Sequence, residues 1–203
     1  MKGDKTTPSR HGRMVHPNHK NAGAALLIID MVSDFEFDDG DRLFESIQPR
    51  VDAIVELKKR IKEAEAPVIY VNDNFGIWKN SFSKTLDAAR SSRLGEQIVS
   101  RLLPADDDYH VLKPQRSGFF ATPLDVLLSS LEVVDLVIAG VTTDICVLFT
   151  AHDAYMRGFH VTVPSDCSAA VGEKDHVQAL EMLKRIADAD IRPSGEVDLN
   201  RLH

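Results

Sequence analysis

The reactive side chains of this 203-residue chain are few, and only two are cysteines. Cys146 lies in GVTTDICVLFTAHDAYMRG, Gly140 to Gly158, directly after an apolar run. Free cysteine is among the most buried residue types, so a small core residue is one reading. The other is a nucleophile, which needs an activating charge and a place for developing negative charge. Thr142 or Thr143 suits the N-cap of a helix, which puts Cys146 in the first turn. Arg157 and Gly158 suit the other end of that helix. Backbone N–H groups at a helix start favour an anion, so this placement predicts a lowered thiol pKa and a site for an acyl-transfer oxyanion. Asp144 in the same turn opposes the thiolate, and a lysine ammonium nearby would outweigh it.

Positioning such groups is the task of the elements around them. Short apolar runs recur at AALLIID (24 to 30), PVIYVND (67 to 73), YHVLK (109 to 113), VDLVIAG (134 to 140) and FHVTVPS (159 to 165). Most are apolar at consecutive positions, which suits strands covered on both faces. Between them Ile47, Val51, Ile54, Ile61 and Ala64 keep helical spacing, as do Val177, Leu180, Leu183 and Ala187. The alternation predicts an α/β, three-layer Rossmann-like fold: a mostly parallel, roughly six-stranded sheet with helices on both faces. Such sheets bind ligands outside the carboxyl ends of their strands. The polar residues there are Asp30, Asp73, Lys113, the Gly140 to Cys146 turn and Asp166. An acid, an amine and a thiol thus arrive at one edge from three strand ends.

Composition bounds the rest. With 43% hydrophobic and 27% charged residues, the chain suits one domain with a real core, over residues 24–203. Residues 1–23 are polar and basic, lack the apolar stretch of a signal peptide, and are expected to form a mobile arm. His11, His16 and His19 in it read as scattered histidines of a solvated tail rather than metal ligands. A net charge of −7 and a pI near 5.6 argue against nucleic-acid or anionic-membrane partners. No apolar run reaches the roughly 18 residues of a membrane span. Two cysteines are too few for a disulfide framework, which points to a reducing, cytoplasmic setting.

Three segments carry a family resemblance. LLIIDMVSDF, VLKPQRSGFFATPLDVLL and AGVTTDICVLFTAHDAYMRGFHVTVPSDCSAA resemble, in order and separation, the signatures of the isochorismatase-like cysteine hydrolases, over roughly residues 24 to 190. The resemblance implies an Asp–Lys–Cys triad of Asp30, Lys113 and Cys146, with Cys146 attacking a carbonyl-type carbon to give a thioester. Asp30 would take the thiol proton, and Lys113 would keep Asp30 charged and favour the thiolate. A cis peptide at Val141–Thr142 is implied too, aiming the N–H groups of Thr142 and Cys146 at the oxyanion. The resemblance further implies a small-molecule substrate and a homo-oligomer.

The chain departs from the family pattern in two places. MVSDF places Val32 and Ser33 where many relatives carry a Gln-Asn pair. The metal-containing nicotinamidases carry Asp-x-His after the second strand, whereas this chain reads Asp73-Asn74-Phe75, with no histidine between His19 and His110. A catalytic zinc wants three protein ligands, so neither a metal nor any other cofactor is expected. Phe35, Trp78, Phe119 and Phe120 fall in loops after strand ends and are candidates to wall a pocket. Arg116 reads as a surface residue or a contact for an acidic substrate group, and Cys167 as structural.

These residues predict a metal-free hydrolase of a C–N bond in a small amide, carbamoyl or ureido compound. The alternatives are vinyl ether hydrolysis of the isochorismatase type, a non-catalytic ligand-binding module on the same fold, and a flavodoxin-like nucleotide binder. The last lacks a G-x-G-x-x-G loop after the first strand, and a binding module has no need of a thiolate.

Overall fold

The computed structural model describes residues 23–198. In chain order the elements are β1 (Gly23–Ile29), α1 (Gly40–Ile47), α2 (Val51–Glu63), β2 (Val68–Asp73), α3 (Phe82–Ser91), α4 (Arg93–Val99) and β3 (Tyr109–Lys113). They continue with α5 (Leu124–Ser130), β4 (Val133–Val141), a π-helical turn (Thr143–Val147), α6 (Leu148–Met156), β5 (His160–Thr162), β6 (Ser168–Ala169) and α7 (Glu173–Ile186). Short 3₁₀ turns at Gln48–Arg50 and Ser194–Glu196 complete the set. Gly23, expected in the N-terminal arm, instead begins β1, where its N–H donates to Glu132 O at 3.1 Å. The rest of that arm, with its three histidines, and residues 199–203 lie outside the described residues.

The strands form one six-stranded sheet in the order β3-β2-β1-β4-β5, with β6 pairing β4 beyond the end of β5. Every pairing between these strands is parallel. The consecutive apolar residues of β1 serve two cores at once. Ala24, Leu26 and Ile28 face the side covered by α1, α2, α3 and α4, where they meet Leu43, Ile54, Phe82 and Ile98. Ala25, Leu27 and Ile29 face the side covered by α5, α6 and α7, with Leu124, Ala151 and Leu183. Truncating Leu27 to Ala in this fully buried strand would cost about 2–5 kcal/mol.

Helix α7 buries Leu180, Leu183 and, at its C-terminal end, Ala187, as its aliphatic spacing predicts, but not Val177. Val177 points to solvent, and His176 and Ala179 turn inward. The inward histidine is tolerated because both ring nitrogens find partners, which offsets the cost of burying a polar ring. Strand β5 is shorter than its apolar run suggests. Val163 N–H leaves the ladder for Asp190 O at 2.8 Å, and Pro164 has no N–H to continue it.

The chain winds outward from β1 through β2 to β3, then crosses back to lay β4 on the other side of β1. The order reverses between β1 and β4, so their carboxyl ends diverge into a crevice, the usual ligand position of an open parallel sheet. Gly140 allows the close approach there. Its φ is +116°, and a Cβ at this position would lie 2.1 Å from Ile29 O. No helix among the described residues is long and apolar enough to cross a membrane.

Candidate active site

Lys113, the last residue of β3, is fully buried. A lysine ammonium is tolerated in such a place only when it is paired. Its Nζ lies 2.9 Å from Asp30 Oδ2, 3.4 Å from Cys146 Sγ and 3.3 Å from Asp73 Oδ2. The acid, amine and thiol at three strand ends therefore form one cluster. Asp73 is an addition to the three, and it arrives by register: Asp73 and Lys113 are directly paired in the β2–β3 ladder.

Asp30 is held from several sides. Its backbone turns out of β1 with φ 52°, its N–H donates to Val71 O at 3.0 Å, and its Oδ1 accepts Asp73 N–H at 2.7 Å. Burial pushes its carboxyl pKa above the usual carboxylate range, although Lys113, Cys146 and the Asp73 N–H all pull the other way. Burial also works against the charge of Lys113, yet Asp30, Cys146 and Asp73 together raise the lysine pKa. Lys113 is thus firmly an ammonium.

Cys146 departs from expectation. Burial first, and then the Asp30 carboxylate, push its thiol up to about 12, with Lys113 only partly opposing them. One ammonium between two carboxylates leaves a net negative charge beside a neutral thiol, so ionising the sulfur would add a second negative charge in a poorly solvated place. The local turn differs as well. Thr143 to Val147 form a π turn, closed by Val147 N–H to Thr142 O at 3.1 Å, and neither threonine side chain caps it. Thr142 Oγ1 is buried without a hydrogen-bond partner in the structure. Thr143 Oγ1 is instead 2.8 Å from His176 Nδ1, whose Nε2 lies 3.1 Å from Ser165 O. The Val141–Thr142 peptide bond is cis.

A cavity of about 310 Å³ opens above the thiol, lined by Asp30, Asp73, Thr142, Cys146 and an apolar wall of Phe35, Phe37, Leu43, Phe75, Val141 and Ile145, with Ser33 beside them. Three of its lining residues, Asp30, Phe35 and Phe75, have positive φ, a conformation uncommon for non-glycine residues.

Of the four aromatic residues expected to wall a pocket, Phe35 lies in this cavity and the other three do not. Phe119 is buried on the opposite face of the sheet, its ring 5.9 Å from that of Phe159 and under the Arg157 guanidinium. Trp78 is 83% exposed and is not among the cavity residues. Phe120 and Arg116 are exposed. Cys167 is fully buried and, like Cys146, a free thiol. Phe37 and Phe75 are the aromatic residues that sequence reading passed over. Phe37 stands two residues past Phe35 in the loop after β1, and Phe75 two residues past Asp73 at the end of β2. His176 escaped notice because it precedes an aliphatic residue that fits the helical stripe equally well.

Two carboxylates, a paired ammonium and a thiol facing a cavity can deliver a sulfur nucleophile and accept its proton in one place. Comparison with known proteins places the chain in context. The Isochorismatase domain model matches residues 24–190. An uncharacterized isochorismatase family protein of Bacillus subtilis (strain 168), YaaI, is 38% identical over 87% of this chain and 97% of that protein. A protein of Arabidopsis thaliana named "Probable inactive nicotinamidase" is 32% identical over 80% of this chain and 88% of its own length. Among solved structures, the nicotinamidase PncA from Bacillus subtilis superposes with a TM-score of 0.66 at 27% identity, covering 84% of this chain and 99% of that one.

Proposed function

This chain belongs to the isochorismatase family, and from that premise we propose that it is a metal-free cysteine hydrolase cleaving a C–N bond of a small amide, carbamoyl or ureido compound. The observation that carries this reading is the fully buried Lys113, whose one ammonium faces Asp30, Asp73 and Cys146 Sγ at 2.9–3.4 Å. A purely structural core would avoid burying three ionisable groups against a thiol, because an apolar set of the same volume is as stable or more so. The amide class is supported by the nicotinamidase structure, whose name is that of an amide hydrolysis.

In this mechanism Cys146 Sγ attacks the carbonyl carbon as the thiol proton passes to Asp30. The carbonyl oxygen takes up the negative charge, stabilised by the N–H groups of Thr142 and Cys146. The C–N bond then breaks, Asp30 returns the proton to the departing nitrogen, and a thioester remains on Cys146. Water next gives a proton to Asp30 as its oxygen attacks the thioester carbon. The acid leaves and the proton goes back to sulfur. Asp30 suits both transfers because burial brings its pKa toward that of its working range. Lys113 holds charge beside Asp30 throughout.

The residues after β2 do not fit a metal site. Asp73 Oδ2 is engaged by Lys113, its Oδ1 accepts Phe75 N–H at 2.6 Å, and the neighbours are Asn74 and Phe75 rather than histidine. Among the described residues no group of three His, Cys, Asp or Glu side chains is arranged to hold a metal ion.

Because one relative is named as inactive, activity itself is the first test. A panel of primary amides and ureides is assayed for ammonia release, before and after exhaustive chelation, with rapid quench and mass spectrometry for an acyl group on Cys146. The expected result is turnover that survives chelation, with a hydroxylamine-sensitive adduct absent from Cys146→Ala. Turnover without any adduct, or turnover lost on chelation and restored by one metal, would sink the reading.

A further inference from the structure

Resting on that reading, we propose that the substrate is an uncharged primary amide or ureide with an apolar carbon skeleton, aromatic or branched alkyl, and that Phe37 and Phe75 select it against anionic analogues. The cavity above Cys146 has two chemically distinct sides. One is Phe37, Phe75, Leu43 and Ile145, which offer only apolar surface. The other is Asp30 and Asp73, whose oxygens are acceptors. Each of these carboxylates already receives one backbone N–H and the shared Lys113 ammonium, yet a carboxylate has about four lone-pair positions, so each can still take a donor. A group that brings N–H donors fits there, and an amide NH₂ is such a group.

The same two sides disfavour a carboxylate on the substrate. Among the described residues, no arginine, lysine or histidine lines the cavity. Lys113 lies beneath it, committed to Asp30 and Asp73. A substrate carboxylate would lose its hydration against phenylalanine rings while facing two negative charges. The other polar side chains of the lining, Ser33 and Thr142, are neutral hydroxyls and bring no positive charge to a substrate carboxylate. Phe37 and Phe75 are about half exposed, at 47% and 49%. They therefore border the opening, where they meet the part of the substrate farthest from the sulfur.

The test compares matched compounds at pH 7.5: benzamide and isobutyramide against 4-carboxybenzamide and succinamic acid. The expected kcat/KM favours the uncharged member of each pair by about 100-fold or more, the scale expected when a charge is desolvated without a partner. Phe75→Arg, at an exposed position, should shrink that ratio at least tenfold by giving the carboxylate a partner. Binding to Cys146→Ala, followed by thermal shift, reads pocket chemistry without catalysis: benzamide should raise the midpoint and 4-carboxybenzamide should not. Preference for the carboxylated compounds, or a ratio unmoved by Phe75→Arg, would overturn this inference while leaving the cysteine hydrolase intact. Selective binding of the neutral amides to Cys146→Ala with no turnover or adduct in the wild type would do the reverse. Absence of both binding and turnover across the panel would overturn the two together.

Discussion

Thr143 Oγ1 and His176 Nδ1 lie 2.8 Å apart in the interior, tying the turn that carries Cys146 to helix α7. The tautomer follows from the other ring nitrogen. Nε2 faces Ser165 O, which only accepts, so Nε2 bears the hydrogen and Nδ1 accepts from the Thr143 hydroxyl. Burial, with Arg50 nearby, pushes the His176 pKa down and keeps the ring neutral near pH 7. Thr143→Val keeps the shape and removes the donor. It should lower stability by about 1–3 kcal/mol, because a buried acceptor loses its partner. It should also lower kcat about tenfold or more at little change in KM, since sub-ångström shifts of a nucleophile are costly. Thr143→Ser should restore both. A wild-type kcat in Thr143→Val would reduce the contact to a structural one.

The two thiols should differ in reactivity by access rather than by acidity. Both are pushed up to about 12, Cys146 by burial and Asp30 and Cys167 by burial and Asp166, but Cys146 is half-buried while Cys167 is fully enclosed. Iodoacetamide on the folded protein should therefore modify Cys146 alone. Its rate should climb about tenfold per pH unit from pH 7 to 10, as the thiolate fraction does for a high-pKa thiol. Asp73→Asn removes one negative charge beside Lys113 and should move that curve to lower pH. Peptide mapping by mass spectrometry reads both. A rate already level below pH 7.5 would mean that the resting sulfur is a thiolate.

Alkaline stability provides a separate reading of the same thiol. In the unfolded chain Cys146 ionises near its ordinary value of 9.0, whereas in the folded protein it holds its proton until about 12. Above pH 9 the unfolded state thus binds fewer protons, and the stability contributed by the neutral buried thiol is lost as pH rises through that window. The urea midpoint of the wild type should fall between pH 9 and 10.5, and that of Cys146→Ala should fall less. Equal declines would place the pKa of Cys146 near that of an exposed thiol.

Asp30, Lys113 and Cys146 should behave as one unit in a mutant cycle. Asp30→Asn removes the base, and Lys113→Ala leaves Asp30 and Asp73 facing each other without their shared cation. Each should cut kcat/KM by roughly a thousandfold or more, the combined scale of lost acid–base and electrostatic support. The double variant should be scarcely worse than either single one, since groups that act together give non-additive losses. Losses that add in logarithm would separate the lysine from the reaction.

The sequence by itself determined the parallel sheet and the meeting of acid, amine and thiol. Runs apolar at every position demand cover on both faces, and parallel strands put all their carboxyl ends on one edge, so Asp30, Lys113 and Cys146 had to share it. The tertiary structure decided what depends on distances through space. Asp73 joins Lys113 because β2 and β3 pair in that register, and one-dimensional spacing does not specify register between separate strands. The thiol pKa rises because enclosure and a neighbouring carboxylate outweigh a helix-start position, and both arise from chain segments far away in sequence. Phe119 leaves the pocket, and Phe37 and Phe75 enter it, for a similar reason. Whether a loop aromatic packs under a helix or over a cavity is set by how the loop folds back, and the residue type alone is equally content in either place.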